Sequence, residues 1–252
     1  MAKSKNPLSD PKKWSAETRL VHGGSKRSQF NETSEAIFLN SGYAYPSSHH
    51  AEDIFTHKIE GHNYSRFANP TLDMFQDRMA LLEGAEAARA FSTGMSAVTN
   101  AVMSQVRAGD HIVAARALFG GCRYVVEDLM PRFGVASTLV DGRDPQNFER
   151  AMQKNTKLVF IETPTNPTLE LVDIAAVGKI AKAHGAKFIV DNVFATPLFQ
   201  HPLQLGADLV TYSATKHIDG QGRTLGGIVL GSKALIEGDV HTLLRQTGPS
   251  LS

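Results

Sequence analysis

Between residues 111 and 231 short β-rich runs alternate with stretches of helical periodicity, and no other feature constrains the fold as strongly. The runs are HIVAA (111–115), STLV (137–140), KLVFIET (157–163), KFIVDNV (187–193), DLVTYS (208–213) and GGIVLG (226–231), with helical patterns such as DIAAVGKIAKAH between them. Runs that are apolar on both faces belong to strands covered by helices on each side. The fold class is therefore α/β, built on a mostly parallel sheet flanked by helices. Functional groups in such a sheet gather at the carboxyl ends of the strands. Upstream, apolar residues recur at helical spacing from Leu72 through DMFQDRMALLEGAEAARA to the small residues before Phe91, and a second helix is predicted from Gly94 to Ala108. Residues 1–62 are polar and turn-rich and read as an arm, which leaves 63–252 as the main domain.

Composition narrows the function classes. A chain of 252 residues with 42% hydrophobic side chains can bury a core without disulfides, and its one cysteine, Cys122, has no internal partner. A formal charge of +1 lacks the basic excess that a nucleic-acid surface requires. Nowhere does the chain approach the roughly 18 consecutive apolar residues of a membrane span. We read it as cytoplasmic, acting on a small molecule, with no nucleic-acid or membrane partner.

The densest group of small and polar residues is YSATKHIDGQGRTLGG, where a strand ends at Ser213 and Lys216 follows between hydroxyls, a histidine and glycines. Alone, Lys216 would read as a solvated surface lysine. A second strand, KFIV, runs into Asp191, which alone would read as a helix cap or turn former. One cofactor requires both groups. Pyridoxal 5'-phosphate needs an amine for its aldehyde and an anion at its pyridine nitrogen, because the protonated ring withdraws electrons from the substrate's α-carbon. Partial burial and cationic neighbours would leave the Lys216 amine neutral and nucleophilic. FSTGMSAV, with Gly94 at a helix start, offers backbone N–H groups to a phosphate, although the same pattern also serves ordinary capping. Ser213 and Thr215 flank the lysine and could add hydroxyl donors.

His49, His50, His57 and His62, with Glu52 and Asp53, match no compact metal-ligand spacing and read as a polar loop, so no metal site is assigned. Cys122 reads as small core packing rather than a nucleophile. GQGRTLGG lacks the order of a dinucleotide fingerprint. Arg223 either faces the site or stabilises its own turn.

Taken together, these residues resemble the pyridoxal-phosphate enzymes of cysteine and methionine metabolism. The resemblance runs through most of the chain, with motifs in family order: YSRFANPT at 64–71, STGMSAV at 92–98, ALFGGCRY at 117–124, ETPTNPTLE at 162–170, VDNVFATPLFQ at 190–200 and YSATKHIDGQGR at 212–223. It implies the fold-type-I, aspartate aminotransferase-like large domain over 63–252. It also implies that Lys216 is the catalytic residue and holds the cofactor as an imine, that Asp191 pairs with the ring nitrogen, and that Asn166 lies beside the ring's phenolic oxygen. Gly94 and Met95 would give backbone N–H groups to the phosphate, joined by Ser213 and Thr215. Tyr64 and Arg66 would reach the neighbouring subunit's phosphate site and the arm would contribute to the neighbouring subunit, so a homo-oligomer follows: a dimer sharing its sites, or a tetramer built from such dimers.

Within the family, KHIDGQGR and LFGGCRYVVEDL look most like the O-succinylhomoserine sulfhydrylases, which implies conversion of O-succinylhomoserine and sulfide to homocysteine and succinate in methionine biosynthesis. Cystathionine γ-synthase and cystathionine or methionine γ-lyase are the alternatives. Phe119 stands where many members carry a tyrosine; it keeps the stacking surface and loses the acid, which suits a leaving carboxylate better than a leaving thiol. Relatives continue past RQTGPSLS into a carboxyl-terminal domain with the arginine that grips the substrate α-carboxylate, and no residue here matches it. A cofactor-binding fragment without catalysis is the contrasting expectation.

Overall fold

A computed structural model of the chain describes residues 10–252, so the first nine residues of the expected arm lie outside the described residues. Seven strands form one sheet in the order β1-β7-β6-β5-β4-β2-β3. They are β1 (Ala87–Phe91), β2 (His111–Ala115), β3 (Ala136–Val140), β4 (Thr156–Glu162), β5 (Lys187–Asp191), β6 (Leu209–Ser213) and β7 (Gly227–Gly231). Strands β2 to β6 pair in parallel, and β7 lies antiparallel to both β6 and β1. The parallel, doubly covered sheet expected from the sequence is present.

Side chains alternate across the sheet with a period of two. Ile112, Ala114, Leu158, Phe160, Ile189 and Leu209 pack on one face with Val98 and Ala101, which lie on α4 (Gly94–Gln105). Val113, Val159, Ile161, Phe188 and Val190 pack on the other with Val177 of α7 (Ile174–Ala183) and Phe148 of α6 (Gln146–Ala151). Phe160 is fully buried, and burying such a side chain contributes roughly 1.5–3 kcal/mol. Toward the β1 edge, α3 (Pro70–Glu83) covers Tyr212 and Ile228 with Met79 and Leu82.

The structure corrects three boundaries. The helical pattern read through to Ala90 stops at Glu83, because Gly84 takes the left-handed conformation (φ 79°) that closes α3. Residues 87–91 then form β1, whose alanines look like helix formers but pair with β7; tertiary pairing overrides local propensity there. The helix opening at Gly94 ends at Gln105 rather than Ala108, and a turn in which Arg107 N donates to Asp110 follows. The arm is also less irregular than expected. It carries α1 (Ala16–His22), capped by Ser15, and α2 (Ser48–Phe55), capped by Ser47, and Arg78 of α3 holds it through Gly23 O (2.7 Å) and an ion pair with Glu35. Its Phe30, Ile37 and Leu39 remain exposed.

Short helices complete the chain: α5 (Gly120–Tyr124), α8 (Thr196–Phe199), α9 (Lys233–Leu235) and α10 (His241–Thr247). Among the described residues no helix is long and apolar enough to cross a membrane.

Candidate active site

The carboxyl ends of β4, β5 and β6 carry Glu162, Asp191 and Ser213, and the N-terminus of α4 points at the same region. Between them opens a cavity of about 550 Å³ lined by Gly94, Met95, Phe119, Glu162, Asn166, Asp191, Ser213, Thr215 and Lys216 among others. Eight of the residues named from the sequence therefore meet in one place, with Glu162 the only addition in that set.

Two close approaches shape the end of the cavity at the start of α4. A Cβ on Gly94 would lie 2.6 Å from Ser213 Cβ, and one on Gly227 would lie 2.2 Å from Thr93 O. Only glycine lets α4 start this near to β6 and β7. Thr93 caps the helix by accepting from Ser96 N at 3.0 Å, and Ser96 Oγ accepts from Thr93 N in return. The amides of Gly94 and Met95 sit in the first turn, where no intrahelical acceptor reaches them, at the positive end of a twelve-residue helix. Ser213 lines the cavity beside them. Thr215 Oγ1 accepts from Gly226 N at 2.9 Å, so its hydroxyl also ties the lysine turn to β7.

Asp191 is buried, and among the described residues its Oδ1 accepts only from Val193 N at 3.2 Å while Cys122 Sγ donates to Oδ2 at 3.6 Å. Burial, and next the negative charge of Glu162, push its carboxyl up to about 7. No cation answers it among the described residues. Cys122 is buried in the core as expected, and its thiol is pushed well up by burial and the two carboxylates, so it stays protonated and inert as a nucleophile.

Lys216 lies on the cavity wall, in a turn whose helical run it interrupts (φ −90°, ψ −114°), and its amine has no hydrogen bond or ion pair among those described. It is exposed, so the partial burial expected of it does not hold in this chain: the cavity opens to solvent on the side where the lysine stands. Asn166 contributes to the wall from the loop after β4, and Phe119 from the loop after β2 with its ring half exposed.

Tyr64 and Arg66 are not in the cavity. Arg66 lies over the Tyr64 and Phe67 rings and donates to Arg245 O on α10. Arg223 donates to Asp219 Oδ1 at 3.1 Å and to Asp219 O at 3.0 Å, which settles it as a turn-stabilising residue. Of the arm histidines, His49 reaches Glu52 and Asp53 at 3.8 Å on an exposed face, and His62 pairs with Asp73 at 2.8 Å.

Glu162 is the residue that the sequence reading passed over. It closes KLVFIE as Asp191 closes KFIVD, and the two are register partners on neighbouring parallel strands. An acid closing a run of apolar residues is a signal the sequence does contain.

The residue set fits pyridoxal phosphate on its own chemistry. A first-turn pair of amides suits a phosphate, an unpaired amine suits an aldehyde, and a buried carboxylate without a cation suits a protonated ring nitrogen.

A model of the family described as Cys/Met metabolism PLP-dependent enzymes matches residues 17–252. An O-succinylhomoserine sulfhydrylase of Mycobacterium tuberculosis is 50% identical over 248 residues, a match covering 98% of this chain and 61% of that protein. An L-methionine gamma-lyase of Treponema denticola is 42% identical over 222 residues, covering 87% of this chain and 55% of that one. A solved structure from Campylobacter jejuni, described as an O-acetylhomoserine (thiol)-lyase, superposes with a TM-score of 0.89 at 26% identity, covering 94% of this chain and 67% of that one, and it carries a pyridoxyl-lysine phosphate. The chain spans about three fifths of the length of the curated relatives it matches.

Proposed function

The chain belongs to the Cys/Met metabolism PLP-dependent enzyme family, and from that premise we propose that it carries pyridoxal phosphate on Lys216 and serves in the replacement of the succinyl group of O-succinylhomoserine by sulfide, giving homocysteine and succinate. The observation that carries the reading is the convergence of Lys216, Asp191 and the Gly94–Met95 amides on one cavity, in a chain half identical to a sulfhydrylase of that name.

When bound, the cofactor supplies an electron-withdrawing ring that delocalises negative charge from the substrate's α-carbon. The chain's own residues do the rest. The Gly94 and Met95 amides, with Ser213, would hold its phosphate, and Asp191 would face its ring nitrogen and keep that nitrogen protonated. The Lys216 Nζ would take the α-proton and move protons between the substrate's α- and β-carbons. Phe119 supplies an apolar face to the ring and no acid. Succinate departs as a stable anion and needs little proton help, which is why the sulfhydrylase reading is preferred to expulsion of a thiol. Tyr64 and Arg66, outside their own cavity, are placed in the site of a neighbouring subunit. The arm contributes to the neighbouring subunit, with 63–252 as the cofactor domain of a homo-oligomer in the cytoplasm; its exposed Phe30, Ile37 and Leu39 support that contribution.

The match to methionine gamma-lyase favours γ-elimination as the second reading. One assay separates them: O-succinylhomoserine with sulfide should yield homocysteine and succinate in equal amounts. Formation of a 2-oxo acid and ammonia without homocysteine would replace the first reading by the second.

A further inference from the structure

Both oxygens of one buried carboxylate at the end of β4 are engaged by backbone amides of two different loops. Glu162 Oε2 accepts from Phe119 N at 2.5 Å, and Oε1 accepts from Asn166 N at 2.7 Å. Phe119 follows β2 and Asn166 follows β4, and both line the cavity. Glu162 is 5% exposed, and only these two amides offset the burial that pushes its carboxyl up. A buried carboxylate without a cation is a poor device for stability alone. Charge-assisted bonds of this length do, however, fix geometry. Its second effect falls on the register partner Asp191, whose carboxyl its negative charge helps to push up.

We propose that Glu162 is a positioning residue that ties Phe119 and Asn166 into one rigid wall and so fixes the orientation of the cofactor ring lying between Lys216 and Asp191. The proposal rests on the cofactor reading above. Without the tie, the loop after β2 and the loop after β4 move independently, and the ring loses a defined stacking face on Phe119 and a defined neighbour in Asn166.

The test uses the full chain loaded with pyridoxal phosphate and two variants, Glu162→Gln and Glu162→Asp. Glutamine keeps the length but turns an N–H₂ toward one of the two N–H donors, so one loop is released; aspartate keeps the charge and loses the reach. In the unsubstituted protein the amides of Phe119 and Asn166 should exchange slowly with deuterium, and fast exchange at either would overturn the proposal without any variant. In the variants exchange should accelerate at those amides, the cofactor's dissociation constant should rise about tenfold, and the visible circular dichroism per bound cofactor should fall because the ring is no longer held in one orientation. A purely structural Glu162 would change exchange and leave the visible dichroism and the dissociation constant alone; that result rejects the proposal. If the unsubstituted protein takes up no pyridoxal phosphate on Lys216, the cofactor reading fails first, and the inference falls with it by a separately recognisable route.

Discussion

Replacing Asp191 by asparagine should move stability and cofactor binding in opposite directions. The carboxyl is buried and lifted from 3.8 to about 7. A group whose folded pKa exceeds its unfolded value contributes in full below the unfolded value, here 3.8. Its contribution falls as pH rises between the two values and is gone once pH has passed 7. Three pKa units correspond to roughly 4 kcal/mol, and water entering the open cavity lowers this, so about 2–4 kcal/mol is expected. Cofactor-free Asp191→Asn, which does not titrate, should gain that much on the parent between pH 4 and pH 8, measured by urea unfolding at each pH. Glu83 is lifted to about 7 by burial as well, but it titrates in both proteins and cancels in the difference. With pyridoxal phosphate present the order should reverse, because the asparagine cannot answer a ring N–H⁺. A gain in stability that is the same at pH 4 and pH 8 would refute the reasoning, since it would show that Asp191 carries no uncompensated buried charge.

Gly94→Ala places a methyl group 2.6 Å from Ser213 Cβ. Either α4 or the end of β6 must move, costing about 1–3 kcal/mol and weakening phosphate binding; a variant as stable as the parent in urea, with unchanged affinity for the cofactor, would contradict the close approach. His111 is buried, with its ring nitrogens 2.8 Å from Thr156 Oγ1 and 2.9 Å from Thr138 Oγ1, and burial lowers its pKa. Its folded pKa lies below the unfolded one, so the unfolded chain takes the proton first and stability is lost as pH falls below about 6.5. His111→Gln should flatten the change in melting temperature between pH 7 and pH 5, and an equally steep profile would remove His111 as its source.

Much of this site was legible because an α/β sheet delivers its chemistry to strand ends, and Asp191 and Ser213 are the ends of visibly apolar runs. Gly94 was legible only in the company of Lys216 and Asp191, since small residues at a helix start also serve ordinary capping. What failed to show was whatever depends on pairing across the sheet. AARAF looks helical until β7 lies beside it, and the end of α3 at Gly84 was in plain view but outweighed by the alanines that follow. Glu162 was visible as a strand-end acid, but its role was not, because its partners are backbone amides, one of them on a different loop, and amides leave no trace in residue identity. The solvent exposure of Lys216 likewise depends on how the cavity opens, which side-chain spacing along β6 does not encode.

Borohydride reduction of the intact protein loaded with pyridoxal phosphate, followed by peptide mass spectrometry, shows which lysine carries the cofactor. A stoichiometric pyridoxyl adduct is expected on the peptide containing Lys216, and it should be lost in Lys216→Ala. An adduct confined to other lysines, with the Lys216 peptide unmodified, would contradict Lys216 as that lysine.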